Sequence, residues 1–149
     1  MDDIQGPDFV ISKAEKRLIE DFLRELLSLY PQLKEDVEEC DGLLHCQMSA
    51  LQRFAEDLCE ERKLEAAREC FEFVEKYFVQ AKSDLLNAIN VSFLEYFKFF
   101  PGLSEGEFKE VMPPTLYQGY VDMIIYMEEL ARKASELENS EDKYPEGWK

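Results

Sequence analysis

Lys63-Leu64-Glu65-Ala66-Ala67-Arg68-Glu69-Cys70-Phe71-Glu72-Phe73-Val74-Glu75-Lys76-Tyr77-Phe78-Val79 is the stretch that decides the fold class. Ala67, Cys70, Phe71, Val74, Tyr77 and Phe78 recur in it at steps of three and four, the period of one helix face. A helix over 63–79 follows. Upstream, Met48, Leu51, Phe54, Ala55 and Leu58 keep the same period and predict a helix from about Leu44 to Glu61. Only Glu61-Arg62-Lys63 separates the two, so they are expected to pack as an antiparallel hairpin.

Further out the helical signals continue. Ser12-Lys13-Ala14-Glu15 has the form of a capping box, in which hydroxyl and carboxylate each take a free amide at a helix start. Leu18, Ile19, Phe22, Leu23, Leu26 and Leu27 follow it, and Pro31 closes that helix. Gln32 to Cys40 predicts one or two acidic turns ended by Asp41-Gly42. Ser83 or Asp84 is expected to cap a fourth helix through Leu86, Ile89, Phe93, Phe97 and Phe100 to Pro101-Gly102. Leu85, Val91, Leu94 and Tyr96 make that helix apolar on most sides, the mark of a buried hub. Ser104-Glu105-Gly106-Glu107 is a second capping box, opening a short helix with Phe108 and Val111. After Pro113-Pro114, Tyr117, Tyr120, Val121, Ile124, Met127 and Ala131 define a last long helix that frays near Leu137.

No segment has the two-residue period of a strand. The expected architecture is all-α: one bundle over 12–137 of about five long helices plus short ones. An extended lead (1–11) precedes it and a polar tail (138–149) follows. A chain of 149 residues, 46% of them hydrophobic, has the material for one self-supporting core.

Thirty-three Asp and Glu against seventeen Lys and Arg give a net charge of −16. Such a surface repels phosphate backbones and anionic lipid, which argues against nucleic-acid and membrane binding, and it attracts a basic protein. The alternative is that the acidity only keeps the chain soluble. No apolar run approaches a membrane span, and Met1-Asp2-Asp3-Ile4 lacks the character of a signal peptide. Cys46, Cys59 and Cys70 fall on apolar stripes, which predicts reduced core thiols and a cytoplasmic setting.

Leu64 to Phe71, with small residues where a neighbouring helix comes close, resembles the second helix of a tetratricopeptide unit. The thirty-four-residue step after Ala67 meets Pro101, so no tandem copy is expected. Asn87-Ala88-Ile89-Asn90-Val91-Ser92-Phe93-Leu94-Glu95 gives the middle of the chain its likeness to small acidic helical bacterial domains of unknown function. Some of these resemble immunity proteins that neutralise toxins. The resemblance implies an inhibitor of a protein partner and assigns no residue a role.

Catalytic and cofactor chemistry finds little footing. Cys40-Asp41-Gly42-Leu43-Leu44-His45-Cys46 is the one cluster of soft ligands, and it lacks the second pair a structural zinc site needs. His45 is the single histidine, and its neighbour Cys46 points elsewhere on a helix, so no nucleophile–base pair forms. The pairs Glu38-Glu39, Glu60-Glu61 and Glu128-Glu129 suit solvated faces. No glycine-rich phosphate loop occurs. The expectation is no enzyme, no metal and no cofactor.

The polar residues Asn87, Asn90, Ser92 and Glu95 on the apolar hub either brace neighbouring helices, with the tyrosines of the last helix as partners, or line a groove. Gly119, inside a helix at about 1 kcal/mol relative to alanine, implies close approach of another group beside Tyr117 and Tyr120. Asn87, Asn90, Glu95, Tyr117 and Tyr120 are thus the candidate binding residues. The expected function is an acidic protein-interaction domain for a basic partner. The alternatives are a small-molecule pocket between the central and last helices, and self-association through exposed aromatics.

Overall fold

The computed structural model describes residues 12–97 and 102–138. Within them lie α1 (Lys13–Leu29), a 3-10 turn (Pro31–Leu33), α2 (Lys34–Glu39), α3 (Leu44–Glu60), α4 (Leu64–Phe78) and α5 (Asp84–Ser92). A second 3-10 turn (Leu94–Phe97), α6 (Glu105–Val111) and α7 (Pro114–Glu138) complete the chain. No strand occurs among the described residues, and the fold is all-α. The expected lead (1–11), the tail beyond Glu138, Phe100 and Pro101 lie outside the described residues.

One aromatic core fills the bundle. Phe71 of α4 meets Phe93, Phe97 and Phe108 edge-on at 6.0, 5.3 and 6.2 Å between ring centroids. Phe22 of α1 stacks on Phe73 at 5.2 Å. Edge-to-face rings add roughly 0.5–1.5 kcal/mol per pair to their burial. The hub is α5, which packs on α1, α3, α4 and α7 and buries Leu85, Ala88 and Ile89 completely.

The hub is shorter than the sequence pattern implied. Helical geometry stops at Ser92, Phe93 leaves it at φ −125°, and a 3-10 turn carries the chain on to Phe97. A run apolar on most sides has no polar face from which its end could be phased.

Its cap also differs. Ser83 makes no side-chain cap bond. The buried carboxylate of Glu15, from the start of α1, instead accepts the amides of Lys82 (3.3 Å), Ser83 (3.2 Å) and Leu85 (3.1 Å). The first capping box is therefore half a box. Ser12 Oγ accepts the Glu15 amide at 3.0 Å, while the Glu15 carboxylate serves α5. Glu75 of α4 does likewise for α7, accepting from Thr115 (2.9 Å) and Leu116 (3.0 Å). A carboxylate suits these positions because a helix N-terminus offers both free N–H donors and a partial positive charge. The second box is complete: Ser104 Oγ accepts from the Glu107 amide and Glu107 Oε1 from the Ser104 amide.

The corner between α3 and α4 ends α3 in a Schellman pattern. Lys63 N donates to Leu58 O and Arg62 N to Cys59 O, with Arg62 itself at φ +58°. Its guanidinium then reaches Gly102 O at 3.0 Å and grips the Glu107 carboxylate. That grip, with the Ser104 amide second, lowers the Glu107 pKa to about 2. A folded-state value below the ordinary one gives stability that is full above the unfolded pKa of roughly 4.3 and lost as pH falls towards the folded value. The urea midpoint of the native chain should therefore exceed that of Glu107→Gln at pH 5, and the gap should close towards pH 2. A gap constant over that range would show that the pair contributes nothing through ionisation.

The cysteines correct one expectation. Cys40 and Cys46 form a disulfide, with Cα atoms 5.6 Å apart. Gly42, at φ +79°, turns the chain back and brings α2's end to α3's start. Cys46 is exposed, one residue off the buried stripe of Gln47, Met48 and Leu51, so its predicted core position was a phase error. Cys59 and Cys70 are free and buried, as expected, and burial raises their thiols to about 11 and about 12. The bridge removes the thiol argument for a reducing compartment. Among the described residues no helix is long and apolar enough to cross a membrane.

Candidate functional site

Between α5, the 3-10 turn after it and the middle of α7 runs a groove of about 430 Å³. Asn87, Asn90 and Glu95 border it on one side, and Gly119, Asp122 and Tyr126 on the other. Phe78, Leu86, Val91, Met123 and Met127 supply its apolar surface. Each polar member follows from local helix geometry. Asn87 and Asn90 are one turn apart on the face of α5 opposite the fully buried Ala88 and Ile89. Glu95 comes in through the 3-10 turn.

Gly119 explains itself here. A Cβ at that position would fall 2.9 Å from Cε2 of Phe78, closer than real side chains approach. The absent side chain lets the end of α4 and α7 meet, and the Phe78 ring fills the space as part of the groove's floor.

Of the five candidates, Asn87, Asn90 and Glu95 are brought together; Tyr117 and Tyr120 are not with them. Tyr120 is buried, packs on Phe108 at 5.1 Å and donates its hydroxyl to Phe97 O at 3.4 Å. Desolvation raises its pKa to about 12. Tyr117 leans on Phe108 with Lys109 Nζ 5.9 Å from its ring. Tyr126 is the tyrosine of the groove, and it is 63% exposed. The expected bracing does not hold either: among the described residues no hydrogen bond ties the Asn87, Asn90 or Glu95 side chain to another helix. Ser92 alone braces, and to His45, whose Nδ1 lies 2.7 Å from its Oγ.

The electrostatics set this groove apart. Among the described residues no Lys, Arg or His lines it, and no cation pairs with Glu95 or Asp122. Among the described residues Asp122 accepts only the Gln118 side-chain amide, at 2.9 Å. The broader depression between α1 and α4, about 600 Å³, is different. There Arg24 is paired with Asp21 at 2.8 Å and Lys76 with Glu25 at 2.9 Å. Tyr77 donates to Glu25 at 2.7 Å and, with Lys76, lowers its carboxyl pKa. Its charges are internally satisfied; among the described residues Glu95 and Asp122 of the groove meet no cation.

Sequence reasoning missed Phe78, Val91, Asp122, Met123 and Tyr126. The available signal was the stripe of α7 running on past Tyr120 at helical spacing.

A family model described as a domain of unknown function, DUF7674, matches residues 23–137. No curated protein matches the chain, and no solved structure matches it.

Proposed function

The chain belongs to this family of unknown function, and from that premise we propose that it is a protein-interaction domain whose α5–α7 groove holds a basic amphipathic segment of a partner. The observation that carries this is the pairing of an apolar floor with two carboxylates, Glu95 and Asp122, that have no cation among the described residues. Helix-in-groove recognition needs such a combination: apolar anchors at helical spacing for affinity and rim charges for orientation. Two methionines suit the floor, since unbranched thioethers adapt to the shape they meet. The net charge of −16 would speed encounter with a basic partner from any direction. An inhibitor of the immunity-protein type, holding a basic protein partner, is the sharpest form of the proposal.

Global attraction and groove recognition separate experimentally. The probe is a fluorescent helical peptide of leucine and lysine in amphipathic order, with a scrambled peptide of equal composition beside it. The ordered peptide should bind more tightly and lose affinity as salt rises. Val91→Asn with Tyr126→Ser, both at exposed positions, should weaken it at least about tenfold, equivalent to about 1.4 kcal/mol. Equal binding of the two peptides, or indifference to the groove variants, would leave only nonspecific charge attraction and overturn the proposal.

The groove's volume also suits a small organic ligand, for which sites of roughly 300–1,000 Å³ are usual. That second reading predicts binding indifferent to salt and no preference for the ordered peptide.

A further inference from the structure

We propose that the Cys40–Cys46 bridge is a thiol–disulfide exchange site whose partner is a dithiol, with Cys46 as the exchanging sulfur and Cys40 as the resolving one. The site does not depend on how the α5–α7 groove is read. Exposure gives the first reason. Cys46 is exposed, while Cys40 keeps 8% of its surface, so an incoming sulfur reaches Cys46 first. Position gives the second. Cys46 is the third residue of α3, whose N-cap, Leu43, makes no side-chain cap bond. Negative charge forming on a sulfur in that first turn meets free amides and the positive end of the helix. Cys40 stands between Glu39 and Asp41 and is the poorer place for such a charge. Access and thiolate character are what decide which sulfur exchanges, and both favour Cys46.

The bond can open and close while the fold stays. It closes a short ring, with a sequence separation of 6, and a cross-link constrains the unfolded chain less the shorter its loop. Neither cysteine belongs to the contiguous apolar core. Other bonds hold the corner: Asp41 N to Glu38 O at 3.1 Å, Leu43 N to Cys40 O at 2.8 Å and Gln47 Nε2 to Val37 O at 3.3 Å. They keep the Cα atoms near their bridged separation of 5.6 Å once the sulfurs part. This closeness also selects the partner. A monothiol joined to Cys46 is expelled by Cys40 beside it, whereas a dithiol completes the exchange with its second thiol. In the reducing direction a thiolate of the dithiol attacks Cys46 Sγ. The bond between the cysteines breaks, a mixed disulfide forms at Cys46, and Cys40 leaves as a thiolate and takes a proton. The second thiolate of the dithiol then attacks the dithiol sulfur of the mixed bond. An internal disulfide forms in the dithiol, and Cys46 leaves and is protonated in turn. Two electrons and two protons thus pass from the dithiol to the bridge. The reverse sequence begins with the Cys46 thiolate and reduces a partner disulfide. Cys59 and Cys70 stay out of the exchange, since both are buried and burial pushes their thiols up to about 11 and about 12.

The test is reduction of the folded full chain by dithiothreitol, an uncharged dithiol, with timed alkylation by iodoacetamide and peptide mapping. Cys40 and Cys46 should become labelled while Cys59 and Cys70 stay unlabelled and helix content by circular dichroism is unchanged. 2-Mercaptoethanol, an uncharged monothiol, should open the bridge at least about tenfold more slowly at equal thiol concentration. The single-cysteine forms read the asymmetry. Uncharged 4,4′-dithiodipyridine should react with Cys46 in Cys40→Ala at least about tenfold faster than with Cys40 in Cys46→Ala. Should either variant be unfolded by circular dichroism, limiting iodoacetamide on the reduced native chain makes the same comparison, because the first labelled peptide names the faster thiol. Release of all four thiols together, or reduction only as helix content is lost, would make the bridge a structural staple and overturn the proposal. Equal reactivity of Cys40 and Cys46, or opening by the monothiol as fast as by the dithiol, would overturn it as well.

Discussion

Glu15→Ala is expected to lower the stability of the whole domain by about 3 kcal/mol, although the residue lies near the start of α1 and far in sequence from the helix it supports. Its carboxylate accepts three amides at the N-terminus of α5, from Lys82, Ser83 and Leu85. Water can replace it at the exposed Lys82 and Ser83, but Leu85 is fully buried and its amide would be left without an acceptor. A buried donor left unsatisfied costs roughly 1–3 kcal/mol, and hydrogen bonds to a charged group contribute more than neutral ones. For a domain of this size the melting temperature should fall by about 6–12 °C. Glu15→Gln, which keeps an acceptor oxygen but no charge, should lose about half as much. Ser83→Ala is the control. If the local serine were the cap, its loss would cost about 1 kcal/mol; with Glu15 as the cap the change should be close to zero. Equal urea midpoints for the native chain and Glu15→Ala would refute this assignment.

The same residue marks where sequence pattern stops being informative. Helix existence was readable because Ala67, Cys70, Phe71 and Val74 repeat with a period that only a helix uses. Glu15 was readable as a capping residue, but not as the cap of a helix some seventy residues away. A cap is defined by which N-terminus lies within reach in space. The end of α5 was hidden for a related reason, since an apolar run buried on most sides carries no phase. At the groove, Asn87, Asn90 and Glu95 stood out because polar groups on an apolar helix need an explanation. Tyr117 and Tyr120 were grouped with them by nearness to Gly119, yet adjacent helical residues point about 100° apart. Tyr120 turns into the core and Gly119 towards Phe78.

The acidity now divides into parts with different physics. Glu15 and Glu75 serve helix N-termini, and Glu107 anchors a corner. These carboxylates are structural, and neutralising them should cost stability. Glu95 and Asp122 hold nothing together among the described residues, apart from the side-chain bond of Asp122 to Gln118. Net charge alone could not separate these roles, because it counts a buried cap and a free rim carboxylate alike.

The second large effect is expected at Gly102, where alanine should cost about 3 kcal/mol. Gly102 sits at φ +72°, where an L side chain adds roughly 1–2 kcal/mol of strain. Its added Cβ would also fall 2.7 Å from Glu60 Cα and 3.0 Å from Cys59 O. Both are backbone atoms of the last turn of α3, and neither can yield without moving the helix end. The displaced segment would also pull the Gly102 carbonyl from Arg62, whose guanidinium joins this strap to Glu107 at the start of α6. Gly42 separates the two contributions. It has a similar φ of +79°, but nothing lies within 4 Å of the Cβ it would gain. Gly42→Ala should therefore show the conformational cost alone, about 1 kcal/mol, and Gly102→Ala that cost plus the collision. Urea unfolding of both variants measures the difference. If the two substitutions cost the same, the contact between the Gly102 strap and the end of α3 is not tight, and Arg62 alone holds that corner.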